Sequence, residues 1–516
     1  MNDVRIELIK NKFAVETPPH MAGLCRAIPN RRWNGKTRVW MAANIRGNRQ
    51  YLMDTFDREN FTNEAWAAVS IKKKKNTGAE FPIHYQFKVE PFKHQRKALN
   101  KMTGLDAYAL FMEQGLGKTF TTINDLSRRF VEDQINAVLV VCPMSIRGVW
   151  QREMESYATV PVKTLPLVTK SANRDLEELW EFEGLKCYVV AVESLSSGKA
   201  HEIAEKFILT TRAAMIIDES STIKNFKASR TKRCIKIGKN AKVRGILTGT
   251  PIAGGYHDLF SQFEFIDSEI IGMGDFYSFR NRYCIMGGFE DRKIIGYDHI
   301  EELMELVSEN IFQATKADSL DLPDKIYQTR EIEPTVEQKR LFKAIKQKLV
   351  PDINGDRVKI DGILEKLLRL RQLTAGFYTT DEGELKVLDG VPPKIKELIS
   401  MIGEVNGKVI LWATYRKEIS MISEALKKLD IGIVEEIHGG VDEVERNGVM
   451  ERFQNGETRF IVANPTTAGM GLTLTAANTN IYMSNSFSYI DRAQSEDRSH
   501  RISQDKHVVL SLIHIS

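Results

Sequence analysis

The chain has 516 residues, of which 42% are hydrophobic and 27% charged, with a formal net charge of +5; this is the make-up of ordinary globular domains, roughly three or four of them by length, each able to bury a core, and the mild basic excess permits a nucleic-acid partner without requiring one. Cys25, Cys142, Cys187, Cys234 and Cys284 are scattered without a Cys-x-x-Cys pair, which argues against a zinc site or a disulfide framework and fits a reducing compartment. No apolar run reaches membrane-spanning length and Met1–Arg5 opens no signal-like apolar stretch, so a cytoplasmic protein with no membrane partner is expected, with a nuclear location as the alternative.

Residues 1–80 read as a small separate α+β domain. Phe13-Ala14-Val15 and Val39-Trp40-Met41 have the look of short strands, and Ile28 to Asn34 that of a turn carrying bases and an aromatic. Arg31, Arg32, Trp33 and Arg38 form a candidate nucleic-acid contact, arginine on phosphate and tryptophan on a base. The competing reading makes Trp33 and Trp40 the core of a small β domain, and both can hold. Lys72 to Lys75 reads as a solvated linker.

Phe92 to Leu99 precedes the most informative stretch, and there Gln95 has an amide able to read an adenine edge. The strand-like run Tyr108–Phe111 then leads into Met112-Glu113-Gln114-Gly115-Leu116-Gly117-Lys118-Thr119 and a helical pattern. Strand, glycine turn and helix N-terminus make a phosphate cradle: backbone N–H groups and the helix dipole face the anion, Lys118 reaches the β- and γ-phosphates, and Thr119 holds Mg²⁺. Met112 stands where such loops usually begin with glycine.

Val138–Val141, Tyr188–Val192, Met215–Ile217 and Gly245–Leu247 alternate with helical segments, which predicts a parallel sheet covered by helices on both faces. Ligands of such sheets sit at the carboxyl ends of the strands. One strand ends there in Asp218-Glu219-Ser220-Ser221, a pair of carboxylates suited to holding Mg²⁺ (Asp218) and polarising an attacking water (Glu219). Another ends in Leu247-Thr248-Gly249-Thr250-Pro251. Residues 266–385 break the rhythm, with basic helical patterns over Val336–Leu349 and Ile363–Leu373 that suit either a DNA backbone or lobe packing. A second series begins near 386, with strands at Lys408–Trp412 and Phe460–Ala463. His438 between them has no partner cluster and reads as a loop residue.

In this order, Gln95, Gly115 to Thr119, Asp218 to Ser221 and Leu247 to Pro251 resemble superfamily-two helicases, and among them the SWI/SNF-type DNA translocases. Cys142-Pro143, Glu193-Ser194-Leu195, Ile223-Lys224-Asn225, Phe279 to Cys284, Leu322 to Lys325 and Leu367 to Gln372 resemble further family segments. Ala468 to Leu474, with Gly469 and Gly471 allowing close approach to a nucleic-acid strand, resembles the fifth motif, and Gln494 to Arg501 the sixth. Ser221 departs from the family's usual histidine, which links the nucleotide site to the third motif, and Asp497 from its usual glycine.

The resemblance implies two RecA-like lobes with ATP in the cleft between them: residues 81–265, then a helical insertion and linker over 266–385, then 386–516, a lobe expected to be shortened at Ser516. Gln95, Gly115, Gly117, Lys118, Thr119 and Gln494 would bind nucleotide, Arg498 and Arg501 would reach the γ-phosphate, and lobe closure would drive a monomer along duplex or forked DNA, with a single-stranded-DNA-binding protein as a further partner. More weakly, Phe13, the Ile28-Pro29 turn with Trp33, and Trp40 make residues 1–80 similar to a HARP domain, the recognition module beside annealing helicases. An RNA-dependent ATPase, a restriction-type translocase and a catalytically weak DNA-binding scaffold compete with this reading.

Overall fold

The computed structural model describes residues 4–515 except 30, 71–79, 292, 321–322, 347–351, 354–355, 358–362, 381–382, 469–471 and 502–503. The Lys72–Lys75 run, Gly469 and Gly471 therefore lie outside the described residues, as does Leu322. The chain divides into two compact units, Met1–Thr315 and Lys316–Ser516.

The first unit opens with a four-stranded antiparallel sheet in the order Arg5–Ile9, Lys12–Glu16, Val39–Ala43, Arg32–Asn34. One face, with Ile6, Phe13 and Val15, packs with Leu52 and Phe61 into a core of its own. The expected turn over Ile28–Asn34 is partly a strand: Arg32–Asn34 pairs with Val39–Met41 and forms the sheet edge. The small domain is joined to the rest of its unit by the helix Arg46–Thr55. Gly47 N–H donates to Gly272 O at 3.0 Å, Arg46 Nη1 to Ile270 O at 3.3 Å, and Arg49 pairs with Glu269.

The rest of that unit is built on seven parallel strands in the order Ile311–Ala314, Ala107–Met112, Val243–Leu247, Ala213–Asp218, Ala137–Cys142, Leu185–Ala191, Val162–Pro166. Its central strands are continuous apolar runs because helices cover both faces; every residue of Ala137–Cys142 is buried. All strands point the same way, so Met112, Cys142, Asp218 and Leu247 end at one edge. Ile311–Ala314, inside the stretch expected as a helical insertion, completes this sheet beside Ala107–Met112. Cys284–Gly287 and Lys293–Tyr297 form a separate antiparallel hairpin.

The second unit carries six parallel strands in the order Lys325–Ile332, Val508–Ile515, Ala477–Tyr482, Lys408–Trp412, Thr458–Ala463, Ile433–Ile437. Alternate residues feed two cores: Val409, Leu411, Val462 and Ile481 on one face, Ile410, Trp412, Ile461 and Tyr482 on the other. Its sheet thus begins at Lys325, well before the expected start near 386. Helices Val336–Lys346 and Ile363–Ala375 occupy the basic patterns read from the sequence. Two parallel α/β lobes and a small α+β domain are the expected fold class. Among the described residues, no helix is long and apolar enough to cross a membrane.

Candidate nucleotide site and nucleic-acid face

The loop after Ala107–Met112 reaches the helix Lys118–Val131 through two left-handed glycines, Gly115 at φ 83° and Gly117 at φ 80°. Glycine is required at Gly117 for a second reason: a Cβ there would lie 2.2 Å from Gln95 Nε2. The turn leaves the N-terminal N–H groups of the helix without intrahelical acceptors, facing the strand-end edge of the sheet. Lys118, the first helical residue, donates from Nζ to Met112 O at 2.9 Å and Glu113 O at 3.4 Å, lying across the loop. Thr119 follows, partly exposed, in the same first turn.

Gln95 is buried beneath this loop. Its Oε1 accepts from Phe92 N–H at 2.9 Å and its Nε2 donates to Leu116 O at 3.1 Å. An amide offers two hydrogens and two lone pairs, so one of each is left for the adenine edge expected of it. His94, which carries no motif signal of its own, also supports the loop, with its Nε2 2.9 Å from Leu116 O. Both residues come from one helix turn, Lys93–Met102, and set the height of the loop from below.

Asp218 closes the strand Ala213–Asp218 and is 7% exposed. Its Oδ2 accepts from Trp150 Nε1 at 2.8 Å and its Oδ1 from Glu219 N–H at 2.9 Å. Burial pushes this carboxyl above the ordinary range, while the Lys118 charge and the two N–H donors pull it back. Trp150 arrives from the helix Arg147–Tyr157 and has no local sequence signal pairing it with Asp218. Glu219 takes the left-handed conformation at φ 51°, uncommon for a residue with a side chain. Its Oε2 accepts from Thr248 Oγ1 at 3.5 Å, and Thr248 Oγ1 accepts in turn from Thr250 N–H at 3.1 Å. The acidic pair and the Leu247–Pro251 loop are therefore one bonded assembly. Ser220 extends it, donating to Gln262 Oε1 at 2.6 Å. Gly115, Gly117, Lys118, Thr119, Gln95, Asp218 and Glu219 thus gather at one edge of one sheet, a basic cradle beside two carboxylates.

In the second unit, Gln494 lies on the helix Tyr489–Glu496, and Arg498 follows it at 6% exposure. Arg498 donates from Nε to Gln494 O at 3.0 Å and from Nη1 to Leu472 O at 3.1 Å. Arg501, half-buried, donates to Thr473 Oγ1 at 2.9 Å and Leu472 O at 3.3 Å. The fifth- and sixth-motif segments are thereby bonded to each other. Asp497 lies half-buried between Lys316 at 2.6 Å and Lys325 at 3.1 Å. His438 hydrogen-bonds its own turn, its Nδ1 accepting from Gly440 N–H at 3.0 Å. Among the described residues, no group of three metal-ligating side chains occurs.

At the N-terminal sheet edge the two tryptophans part company. Trp40 packs on the small core, whereas Trp33 is 51% exposed, its ring centroid 5.0 Å from that of Trp40. Trp33, Arg32, Lys12 and Lys36 line an open depression of about 550 Å³. Arg31 is exposed beside it and donates to Ile28 O at 3.3 Å.

Two parallel RecA-like lobes, with a glycine loop and an acidic pair at the strand-end edge of the first sheet, have the architecture of helicase-type proteins. The chain belongs to the family of the SNF2-related domain, whose model matches residues 94–376, and the helicase conserved C-terminal domain matches residues 393–503. It is 26% identical over 409 residues to the SWI/SNF-related matrix-associated actin-dependent regulator of chromatin subfamily A-like protein 1 homolog of Caenorhabditis elegans, covering 78% of this chain and 55% of that protein. It is 25% identical over 404 residues to the DNA annealing helicase and endonuclease ZRANB3 of Bos taurus, covering 76% and 35%. The chain thus spans about half, or less, of the length of these relatives. Among solved structures, the Sulfolobus solfataricus SWI2/SNF2 ATPase core in complex with dsDNA aligns at 23% identity and a TM-score of 0.40, covering 83% of this chain and 89% of that one.

Proposed function

We propose that the chain is a DNA-dependent ATP hydrolase that couples turnover to translocation on duplex DNA and remodels or anneals forked and branched DNA. The observation that carries this reading is the assembly of loop and acidic box at one edge of the first parallel sheet, with Lys118 close enough to Asp218 for its charge to oppose the upward push of burial on that carboxyl. The helix N-terminus and Lys118 would bind the phosphates of ATP, the substrate. Mg²⁺ would be held by Thr119 and the buried Asp218, and when bound it would neutralise charge developing on the phosphates. The donor set fits such an ion: a hydroxyl in the first helix turn and a carboxylate fixed by Trp150 and the Glu219 N–H. Glu219 would orient and polarise the attacking water, its carboxylate held by Thr248. The roles of Gln494, Arg498 and Arg501 toward the nucleotide rest on the resemblance of their segment, and of the two arginines Arg501 is the less buried.

Residues 1–80 form, in this reading, a HARP-like DNA-recognition domain. Arg31 and Arg32 would meet phosphate and the exposed Trp33 a base, while Gly469 and Gly471 would approach a strand from the second lobe. The bovine relative's name, an annealing helicase, supports the annealing and fork-remodelling part. Double-stranded or forked DNA is the partner, with a single-stranded-DNA-binding protein beside it and a monomer as the working form.

The test is the ATPase rate without nucleic acid and with single-stranded DNA, forked duplex and RNA, with Glu219→Gln alongside. Stimulation by duplex or forked DNA that disappears in the variant supports the proposal. Stimulation by RNA alone moves the chain to the RNA-dependent class, and DNA binding without any turnover makes it a scaffold.

A further inference from the structure

The helix Asp258–Asp267 supplies no residue that the proposed reaction uses, yet its first two turns bind both loops of the candidate site. Asp258 Oδ2 accepts from Gly254 N–H at 2.6 Å and lies 3.6 Å from Lys224 Nζ. Ser261 Oγ donates to Lys224 O at 3.2 Å. Gln262, fully buried, is the centre of the arrangement. Its Oε1 accepts from Ser220 Oγ at 2.6 Å, and its Nε2 donates to Pro251 O and to Asp258 O, each at 2.9 Å. Both amide hydrogens are thus engaged, and Ser220, adjoining Glu219, is itself fully buried.

These bonds close a ring. Glu219 is held by Thr248, Thr248 by Thr250, Pro251 by Gln262, and Gln262 by Ser220, which returns to Glu219 through the backbone. A displacement of the Thr248–Gly254 loop is then felt at Glu219 from two sides, the Gln262 side running through a part-buried bond to Pro251 O and a fully buried one to Ser220.

We propose that Gln262 is a positioning residue: it ties the Thr248–Gly254 loop to Ser220 and so sets where the Glu219 carboxylate points. It touches neither nucleotide nor reacting atoms. The kinetic part rests on the ATP-hydrolase reading above; the mechanical part does not.

Two experiments keep them apart. Hydrogen exchange of peptides covering residues 248–254 is compared between wild type and Ser220→Ala, a change outside that loop. One hydrogen bond confers roughly a 2- to 10-fold protection, so exchange in the loop is expected to rise by that factor; unchanged exchange overturns the proposal. In the second, Gln262→Leu is expected to lower the stimulated kcat at least 10-fold with KM for ATP within 2-fold, and the Ser220→Ala/Gln262→Leu double variant to fall no lower than the worse single. A raised KM at unchanged kcat, or multiplying effects in the double variant, overturns it. Should Gln262→Leu not fold, Gln262→Glu, which keeps the acceptor and loses both donors, takes its place. A wild type without turnover counts against the ATP-hydrolase reading, and the exchange result still decides the role of Gln262.

Discussion

At the scale of single residues, the site divides into chemistry that is local in sequence and support that is not. Glu219→Gln keeps the volume and the Thr248 contact while removing the charge proposed to polarise water. Its expected effect is a kcat lower by 10²-fold or more with nucleotide affinity retained, read by steady-state turnover and nucleotide titration. Gly117→Ala would force a side chain into a left-handed conformation, at about 1–2 kcal/mol, and drive a methyl into Gln95. Weakened nucleotide binding and a lowered melting temperature are expected together. Glu264 is a different case. Burial pushes its carboxyl up to about 7, with Asp267, Glu269 and Asp275 adding to the rise against Lys239. Because the folded-state pKa lies above the unfolded one, stability is greatest below about pH 4.3 for this group and declines as pH rises toward 7. Glu264→Gln should therefore gain on wild type in thermal melts as pH rises from 5 through 7 and hold a constant lead only from about a unit above the folded pKa. Gly115, Gly117, Lys118, Asp218 and Glu219 could be singled out in the sequence as candidates because a glycine turn before a helix and an acidic strand end are marked by neighbours only a few positions away. His94, Trp150 and Gln262 were not, because each reaches the site from another element across many residues of chain.

At the scale of elements, Asp497 is the clearest gain over the sequence. It stands where the family has glycine, and its neighbours in the chain hint at no compensation; the structure supplies it in Lys316 and Lys325, the latter shared with Glu496. Burial alone would raise its carboxyl, but the two lysines overcome this and hold it below the usual carboxylate range. Asp497→Asn removes the anion that these two lysines share, and chemical denaturation should find the second unit destabilised by about 3–5 kcal/mol. With the folded-state pKa depressed, this contribution is present above about pH 3.9 and is lost as pH falls through the folded value, so the gap between variant and wild type should narrow only in acid. The strands Ile311–Ala314 and Lys325–Ile332 escaped a reading by apolar runs for a related reason. The latter is an edge strand, and its Gln328, Thr329 and Glu331 are exposed rather than core-facing. Edge strands lack the continuous hydrophobic signal that made Ala137–Cys142 plain.

At the scale of the whole molecule, the alternation of strand and helix was enough to anticipate two parallel-sheet lobes, because only strands covered on both faces are apolar throughout. The division of labour with the N-terminal domain was less legible, since Trp33 and Trp40 carry the same residue type into opposite environments. Replacing Arg32 with Glu and Trp33 with Ala should weaken DNA binding and flatten its salt dependence, while leaving the DNA-free ATPase rate and the melting temperature near wild type. Loss of fold instead would make Trp33 a core residue after all. The attachment of that domain adds a mechanical point. Gly47 and Gly272 meet backbone to backbone, and a Cβ on either would stand less than 3 Å from the other side. A joint with no side chain to shear through, braced by Arg46 and Arg49, behaves as a weld rather than a bearing. Under the proposed function, a strand gripped by the N-terminal face would be carried as rigid cargo with the first lobe, so that the length of that lobe's stroke, and not any swing of the small domain, would set how far the grip advances.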